Sequence, residues 1–396
     1  MKRHFLSRCA PRAFATVVFA LLTAIGCSAA LAQQTNTPHS ADPGQLWLSM
    51  EYLAWSVSGD KLPALVTTSP PGTPQASAGV LGAAGTSVLF GNSTVDGDWR
   101  SGGRVSGGYW FDRGHTSGVE VGFFGLEQAS TGFNANSGSF AILARPFTDA
   151  TTGLQNANLI AFPGFLSGSV TASETSNLLG ADAVYRRDIG DFGREHLSAL
   201  FGYRFLYASD HLDISSASTV IGGQVLPLGT VITPNDDFKT QNYFSGIDFG
   251  IAGDSATGPW SLEWRADVAL GVNVDREQIN GSTTVLTGGG GGSATYQGGL
   301  LALSSNIGSY VQTRFAAVPD FALKAGYQFA PGWRVIAGYD VLYWTGVQRA
   351  GNTIDTTVNP NLIPPPAGGG PARPQAQFNT SALVAQGFSA GLKYAF

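Results

Sequence analysis

The residues best suited to hydrolytic chemistry are an adjacent acid and histidine, Asp210 and His211, and a close acidic pair, Asp96 and Asp98. A carboxylate beside an imidazole can activate a water molecule for attack on a peptide bond. Both pairs fall near expected strand ends, and Asp-Gly is a common turn signal. Because geometry, and not residue type alone, identifies a catalytic site, we interpret these residues as solvated rim positions and predict no enzymatic activity.

Metal and cofactor chemistry has little support. The histidines that follow the N-terminal segment 1–32 are scattered along the chain, and their spacing to Asp and Glu does not resemble a zinc site. Both cysteines, Cys9 and Cys27, lie within that segment. The rest of the chain therefore cannot form a disulfide or a cysteine-ligated metal site. We expect no metal and no cofactor.

A second set of charged residues lies at alternate positions of apolar segments, where one face of a strand would carry them. If each apolar face points outward, the inward face carries seven acids and six bases. These are Glu51, Glu120, Asp182, Asp248, Glu263, Asp267 and Asp340, with Arg104, Arg186, Arg204, Arg265, Lys324 and Arg334. A selective pore would show a surplus of one sign at a constriction. The near balance favours a network of paired charges, because buried charges seldom persist unpaired.

The clearest of these segments is 260–275. Its even positions, from Trp260 through Leu270 to Val274, are apolar without a break, while the odd positions include Glu263, Arg265 and Asp267. A period of two places the two sets on opposite faces of a strand. The segment is longer than the roughly 9–11 residues that a tilted strand needs to cross a bilayer. It therefore predicts a transmembrane β-strand.

Similar segments recur, and they predict ten strands. Their approximate bounds are 45–57, 103–111, 117–127, 176–187, 196–210, 240–252, 260–276, 318–329, 333–347 and 382–396. Long and short connections alternate between them, as in a transmembrane β-barrel with short periplasmic turns and longer extracellular loops. The strand at 176–187 fits least well, because Leu178 and Val184 fall on its polar side. The first two long loops could contain one more hairpin, which would make twelve strands.

A secreted β-sandwich would also show alternation, and the aromatic residues distinguish the two folds. Aromatic residues mark both ends of several strands. These are Trp47 with Trp55, Trp110 with Phe111, Trp260 with Trp264, and Trp333 with Tyr343. Such positions suit the two aromatic girdles of a membrane barrel. We predict an all-β chain that forms a single antiparallel outer-membrane barrel.

Composition agrees with a lipid-facing surface. Charged residues are 12% of the chain and hydrophobic residues 43%, and this charged share is about half of the usual one. Four of the 22 Lys+Arg and none of the 27 Asp+Glu lie in residues 1–32, so the remainder carries a net charge of −9. This acidic balance argues against a nucleic-acid partner, which would require a basic face.

The N-terminal segment 1–32 resembles an export signal. Basic residues are followed by an apolar stretch at 13–25 and by the cleavage pattern Ala30-Leu31-Ala32. An alternative is a lipoprotein signal with lipidation at Cys27, although residues 24–26 fit that pattern poorly. We predict a signal peptide at 1–32, a short periplasmic tail at 33–44 and the barrel at 45–396.

Several segments resemble the beta-barrel porin-7 family, from about residue 45 to the end. They are 47–55, 62–70, 85–91, 101–110, 144–147, 201–207, 242–246 and 337–343. The chain departs from the family pattern at Tyr185, where a polar residue is expected, and at Ala350, where proline is usual after Arg349. The resemblance implies an outer-membrane barrel similar to porins and brings no substrate with it.

The last strand resembles the terminal signal by which the barrel-insertion machinery recognises outer-membrane barrels. Apolar residues alternate at Phe388, Ala390, Leu392, Tyr394 and Phe396. The predicted signal consists of Gly391, Leu392, Tyr394 and Phe396. The expected partners are therefore outer-membrane lipid and that machinery during assembly.

Two functions remain open, a narrow channel for small solutes and a non-conducting barrel that binds or anchors envelope components through its loops. Eight strands enclose a space that side chains fill, whereas sixteen or more leave an aqueous channel. Ten strands lie near the filled end, and Trp110, Phe124 and Trp344 are also predicted to point inward. The first two long loops are large enough to fold into the barrel as plugs.

Overall fold

The structure is a computed structural model that describes residues 45–193, 195–223 and 226–396. The predicted signal peptide and periplasmic tail lie outside the described residues. In chain order the strands are β1 Leu46–Val57, β2 Asp60–Leu62, β3 Val66–Thr68, β4 Ser87–Phe90, β5 Ser93–Val95, β6 Trp99–Trp110, β7 Ser117–Leu126, β8 Ala129–Asn136, β9 Leu143–Asp149, β10 Gln155–Ala161, β11 Leu166–Phe192, β12 Glu195–Val220, β13 Val231–Thr257, β14 Trp260–Leu286, β15 Ser293–Gln297, β16 Gly308–Ala330, β17 Trp333–Val347, β18 Thr357–Val358 and β19 Ser381–Ala395. Short helices occupy Gln75–Ser77, Ala350–Thr353 and Pro360–Leu362.

Ten of these strands form a closed antiparallel ring, which confirms the predicted barrel. The order around the ring is β1, β6, β7, β11, β12, β13, β14, β16, β17 and β19. The ring closes where β1 pairs with β19, from Trp47 opposite Ala395 to Val57 opposite Ala385. Closure leaves no open sheet edge in the lipid, where unpaired backbone groups would be costly.

Alternation sets the two faces of the ring. In β1, the side chain of Tyr52 is 57% exposed on the outside, whereas that of Leu53 is fully buried inside. The outward residues are apolar along a belt next to the short turns, and we take this belt as the membrane-spanning part. It covers 46–54, 99–109, 119–125, 179–185, 197–207, 243–251, 260–274, 315–329, 333–343 and 384–396.

The four strands β11, β12, β13 and β14 continue well beyond the belt. Three of them have 27 residues and β12 has 26, more than twice the roughly 9–11 residues that a tilted strand needs. Their outward residues become mostly polar beyond Leu179, Tyr207, Tyr243 and Val274. The chain therefore builds a sheet that projects past the long-loop end of the membrane.

The long loops fold into a cap against the inner face of this projecting sheet. Strands β10, β9, β3 and β4 form a second sheet, which β18 extends by pairing with β9. The first two long loops thus contain strands of their own and add no further pair of strands to the ring. The cap has its own apolar core, which includes Leu62, Val66, Phe90, Leu143 and Phe147 from the loops. The projecting strands contribute Val170, Leu212, Ile214, Phe238 and Ile279 to the same core.

One buried carboxylate ties two of the loops to the barrel wall. Asp236 of β13 is fully buried, and its Oδ1 accepts hydrogen bonds from the backbone N–H groups of Leu300, Leu301 and Ala302 at 2.8–3.0 Å. Its Oδ2 lies 2.6 Å from Nη1 of Arg145 in β9. The carboxylate therefore accepts hydrogen bonds from three buried amides and forms an ion pair with one buried guanidinium.

Two sequence interpretations require correction. Leu178 and Val184, which weakened the prediction of β11, point inward and are each only 2% exposed. Their position in the strand alternation places them inside, where parts of the lumen are apolar. The prediction treated them as a poor fit because it assumed a polar interior. Trp55 is not part of an outer girdle, since it is 1% exposed and packs on Phe124 inside the barrel. Trp47 and Trp110, which were also predicted as girdle residues, lie inside as well, where their rings contact Lys393 and Arg186. Trp260 does face outward, with 61% of its surface exposed.

The role of Asp236 predicts a selective loss of cap stability. Replacing Asp236 with Ala leaves Arg145 buried and unpaired, which costs about 3–5 kcal/mol. We expect thermolysin to cleave the segment 287–307 much faster, while the heat-dependent gel mobility of the barrel stays unchanged. Asp237→Ala is the matched control, because the neighbouring Asp237 lies on the outward face and pairs with the partly exposed His211. Equal protection of Asp236→Ala and the control would refute this role.

Candidate functional site

The lumen within the membrane contains an ionic cluster centred on Arg204 of β12. Its guanidinium lies 3.0 Å from Asp248, 2.6 Å from Asp267 and 2.7 Å from Asp320. These residues come from β13, β14 and β16, so one arginine links four consecutive strands along one side of the lumen. The alternation of each strand places them all on the inside.

Arg265 extends this cluster. Its guanidinium lies 2.6 Å from Asp267, 3.6 Å from Asp248 and 3.4 Å from Asp182. Asp248 and Asp267 are nearly fully buried, and each contacts both arginines. Buried carboxylates are costly unless they are paired in this way.

The other inward charges form smaller groups nearer the short turns and along β1. Arg104 lies 2.9 Å from Asp340 and 3.5 Å from Glu51, and Lys324 lies 2.6 Å from Glu51. The remaining pairs are Arg186–Glu120 at 3.1 Å, Arg334–Glu263 at 3.2 Å and Lys393–Glu263 at 3.0 Å. Every residue of the predicted lumen network thus lies inside the barrel within 4 Å of an opposite charge.

Three members of the network were missed in the sequence. Asp320 binds Arg204, Asp254 lies 2.7 Å from Arg186, and Lys393 contacts Glu263. Asp320 and Lys393 have the inward parity of their strands, so the alternation rule would have found them. Asp254 falls beyond the predicted end of its strand at 252, and only the longer β13 places it inside.

Around these charges lies a cavity of about 420 Å³ at the short-turn end of the barrel. Trp47, Trp110, His115 and Lys393 line its outer part, and Arg104 and Arg204 line its inner part. The ring of Trp110 lies under the Arg186 guanidinium, 5.2 Å from the centroid, and Trp47 lies under the Lys393 ammonium at 4.7 Å. We call this cavity the vestibule.

An apolar layer, which we call the septum, closes the lumen beyond the vestibule. Every ring strand except β6 contributes to it. Its members are Leu53, Trp55, Val57, Phe124, Leu126, Leu178, Leu206, Ala208, Phe244, Ala269, Ala316, Val318, Leu342, Trp344, Val347, Leu383 and Ala385. None of these side chains is more than 8% exposed. Phe124 and Trp344 were predicted to point inward, and both lie in this layer.

Glycine makes room for the septum at Gly180 of β11. A Cβ atom there would lie 2.3 Å from the ring of Phe124 and 2.6 Å from a methyl group of Leu206. Both distances are shorter than side-chain atoms tolerate, so a larger residue would displace the packing that fills the lumen.

A buried polar layer separates the septum from the cap core. Arg349, which follows β17, is 1% exposed and binds both oxygens of Asp210 at 2.5 and 3.2 Å. It also donates to the backbone carbonyl of Ser58 at 2.9 Å. Asp60 lies in the same layer and accepts a hydrogen bond from the N–H of Gly351 at 2.6 Å. This layer joins the first and last long loops to β12.

Glu174 completes the layer from β11 and is fully buried. Burial raises its pKa to about 10, and the nearby carboxylates of Asp60 and Asp210 act in the same direction. Burial also raises the pKa of Asp60, although Arg349 acts in the opposite direction. Glu174 is therefore protonated at neutral pH. Because Glu174 is then uncharged, the positive charge of Arg349 is paired with the negative charge of Asp210.

Asp210 and His211, the candidate catalytic pair, are adjacent in β12 and therefore point to opposite faces of the strand. Asp210 points inward to Arg349, whereas His211 points outward and its Nε2 lies 2.5 Å from Asp237. Asp96 accepts a hydrogen bond from Thr131 at 2.5 Å. The geometry does not bring Asp210 and His211 together on one surface. Asp210 is 2% exposed and Asp96 is 5% exposed, so the interpretation of these two carboxylates as solvated rim residues was wrong.

Two further features concern the described residues as a whole. In the part of the chain that the structure describes, no helix is long and apolar enough to cross a membrane. Among residues 45–193, 195–223 and 226–396, the His, Cys, Asp and Glu side chains form no group of three that could hold a metal ion.

Comparison with known families gives one match that spans almost all of the described chain. Residues 47–396 match the family described as "Putative beta barrel porin-7". No curated protein sequence matches the chain.

Solved outer-membrane barrels are similar to the chain only at low identity and low TM-score. The outer membrane protease OmpT from Escherichia coli has 10% identity and a TM-score of 0.36, and the match covers 91% of this chain and 100% of that one. The translocator domain of the autotransporter NalP from Neisseria meningitidis has 9% identity and a TM-score of 0.25 over 96% and 98% of the two chains. An anion-selective porin from Comamonas acidovorans has 8% identity and a TM-score of 0.19 over 88% and 100%. Likenesses this distant carry no argument about activity.

The buried Glu174 predicts that the cap loses stability in alkali. Its pKa is raised in the folded state, so its contribution is complete below its ordinary value of 4.5 and is lost as the pH rises through about 10. The loss can reach about 1.4 kcal/mol per pH unit. Glu174→Gln keeps the shape of the protonated acid and should remove this dependence, so its cap should resist thermolysin better than the native cap at pH 9. Exposed Glu127→Gln is the control, and an unchanged pH dependence in Glu174→Gln would contradict the assignment.

Proposed function

The chain belongs to the beta barrel porin-7 family, and we propose that it is a non-conducting outer-membrane barrel that displays a rigid extracellular cap. The observation that carries this proposal is the septum. Its side chains come from nearly all ring strands and are almost inaccessible to water. Ions do not cross a layer of packed apolar side chains without a rearrangement, because they would have to lose their hydration.

The cap supports the same proposal from the other side of the septum. Arg349, Asp210 and Asp60 bind two long loops to the wall, and Asp236 binds two more segments. The cap also has an apolar core of its own, which includes Leu143 and Phe147. The cap is thus a folded part of the molecule, and it suits the presentation of a fixed surface.

The exposed part of the last long loop is the best candidate for a display surface. Residues 365–372 are exposed, while the base of this loop is held by Arg373, which lies 2.7 Å from Asp355. Asn359 adds two hydrogen bonds of 2.8 Å to the carbonyls of Gly369 and Pro371. The loop therefore holds a defined shape while it faces the surroundings of the cell, where it would contact other envelope components.

A narrow channel is the second candidate, and the vestibule favours it. A cavity of about 420 Å³ lined by paired charges could admit small solutes from the short-turn side. For a solute to cross the barrel, the side chains of the septum and the loops of the cap would both have to move out of its way. We propose no catalytic role, because Asp210 and His211 lie on opposite faces of β12. Export through the predicted signal peptide and insertion by the barrel-assembly machinery complete the proposal.

Single-channel recording separates the two candidates. We expect the refolded protein to produce no conductance steps in a planar bilayer at any voltage, because the septum excludes water and ions. A conducting porin added under the same conditions checks the recording, and gel mobility before and after heating checks folding. Reproducible steps from the folded native protein would refute a closed lumen.

Surface display predicts which end of the barrel faces the outside of the cell. The cysteines of the chain, Cys9 and Cys27, both lie in the predicted signal peptide, so a cysteine introduced elsewhere reports on its own position. Ala372→Cys, at the exposed loop, should react with a membrane-impermeant maleimide on intact cells. Arg113→Cys, in the turn between β6 and β7, should react only after the outer membrane is broken. Labelling of Arg113→Cys alone on intact cells would show the opposite orientation.

A further inference from the structure

Two cations lie just beyond the lipid-facing belt on the outside of the projecting sheet. Lys239 of β13 and Arg276 of β14 are exposed, and both have the outward parity of their strands. The ion pairs of the described residues nearby involve His211 with Asp237 and Arg314 with Asp275, and neither Lys239 nor Arg276 takes part in one. Both charges are therefore available to a ligand outside the barrel.

The strand register fixes how these cations sit relative to the belt. Tyr243 pairs with Val274, the last outward residue of β14 within the belt, and Gln241 pairs with Arg276 in the next outward row. Lys239 pairs with Gln278 one row further from the membrane. Lys239 and Arg276 are thus diagonal neighbours, at about 7–8 Å between strands. Two cations and two amides form one compact patch.

The aromatic border of the belt holds part of this patch in place. The guanidinium of Arg276 lies over the ring of Tyr243, 5.2 Å from its centroid. Tyr243 packs against Tyr207 at 5.0 Å, and Gln241 Nε2 donates a hydrogen bond to the Tyr207 hydroxyl at 3.2 Å. The arginine is therefore positioned at the boundary between the apolar belt and water, with donor groups still free to bind.

The nearest outward acids are already engaged. Asp237 contacts His211 at 2.5 Å and accepts a hydrogen bond from Asn280 at 3.4 Å. Asp213 accepts one from Asn235 at 3.2 Å. Asp213 and Asp237 pair with each other, and Asp237 lies two residues before Lys239 in β13. Both acids are therefore one outward row further from the membrane than Lys239. The charge closest to the membrane on this face is therefore positive.

We propose that Arg276 and Lys239, with Gln241 and Gln278, bind a phosphate group of a glycolipid in the outer leaflet of the membrane. The planar guanidinium suits the oxygens of a phosphate, and the lysine adds a second charge. Directly below the patch, Val272 and Val274 and the tyrosines continue into the belt, where the acyl chains of the same lipid would lie. Such a lipid would hold the projecting sheet at a fixed height and orientation. The site acts whether or not the lumen conducts.

The test is the equilibrium binding of lipid A to the protein in detergent micelles, measured by native mass spectrometry. The double variant Arg276→Gln, Lys239→Gln should bind bisphosphorylated lipid A about tenfold more weakly or worse, since each charged hydrogen bond contributes to affinity. Dephosphorylated lipid A should bind the native protein as weakly as the phosphorylated form binds the variant. The matched control is Arg113→Gln, Arg187→Gln, which removes the same charge from exposed residues at the short-turn end and should leave binding unchanged.

Three outcomes would overturn the proposal. The first is unchanged affinity in the folded double variant, and the second is an equal loss in the control. The third is phosphatidylglycerol binding as tightly as lipid A with the same sensitivity to the double variant, which would indicate a general anionic-lipid surface. If the double variant fails to fold, the single variants provide the same test, each with a smaller expected loss.

Discussion

Closure of the sheet in lipid is the constraint on which the rest of this molecule depends. A bilayer offers no partner for an unpaired backbone group, so β1 must pair with β19 along its whole length. Ten strands then enclose a lumen of limited width, which side chains can fill. This narrow width determines which side chains the lumen can hold. A charged side chain inside it has little access to water and is stabilised by an opposite charge a few ångströms away.

The lumen is organised in successive layers. Paired charges surround the vestibule, the septum excludes water, and the layer of Arg349, Asp210, Asp60 and Glu174 joins the septum to the cap. Each layer ties together different strands and loops. The family name refers to porins, yet the packing inside this member favours a filled barrel with a folded outer surface.

Much of this fold was predictable from the sequence, because alternation reports directly on the two faces of a strand. The belt strand 260–274 was evident, and so was the inward direction of Arg204 and Asp248. The extent of β11 to β14 was not, since their outward residues beyond the belt are polar and resemble loops. The septum was missed at Leu178, because an apolar residue on an inward face contradicts the expectation of a polar lumen. The cap depends on contacts such as Asp236 with Arg145, which join distant segments and leave no local pattern.

Water access across the septum tests the central claim most directly. A cysteine at Ser106, which lines the vestibule, should react readily with a small charged methanethiosulfonate reagent in the refolded barrel. A cysteine at Leu206, which is 1% exposed in the septum, should react slower by orders of magnitude. Comparable rates at the two positions would show that water and ions reach the septum, and would contradict a closed lumen.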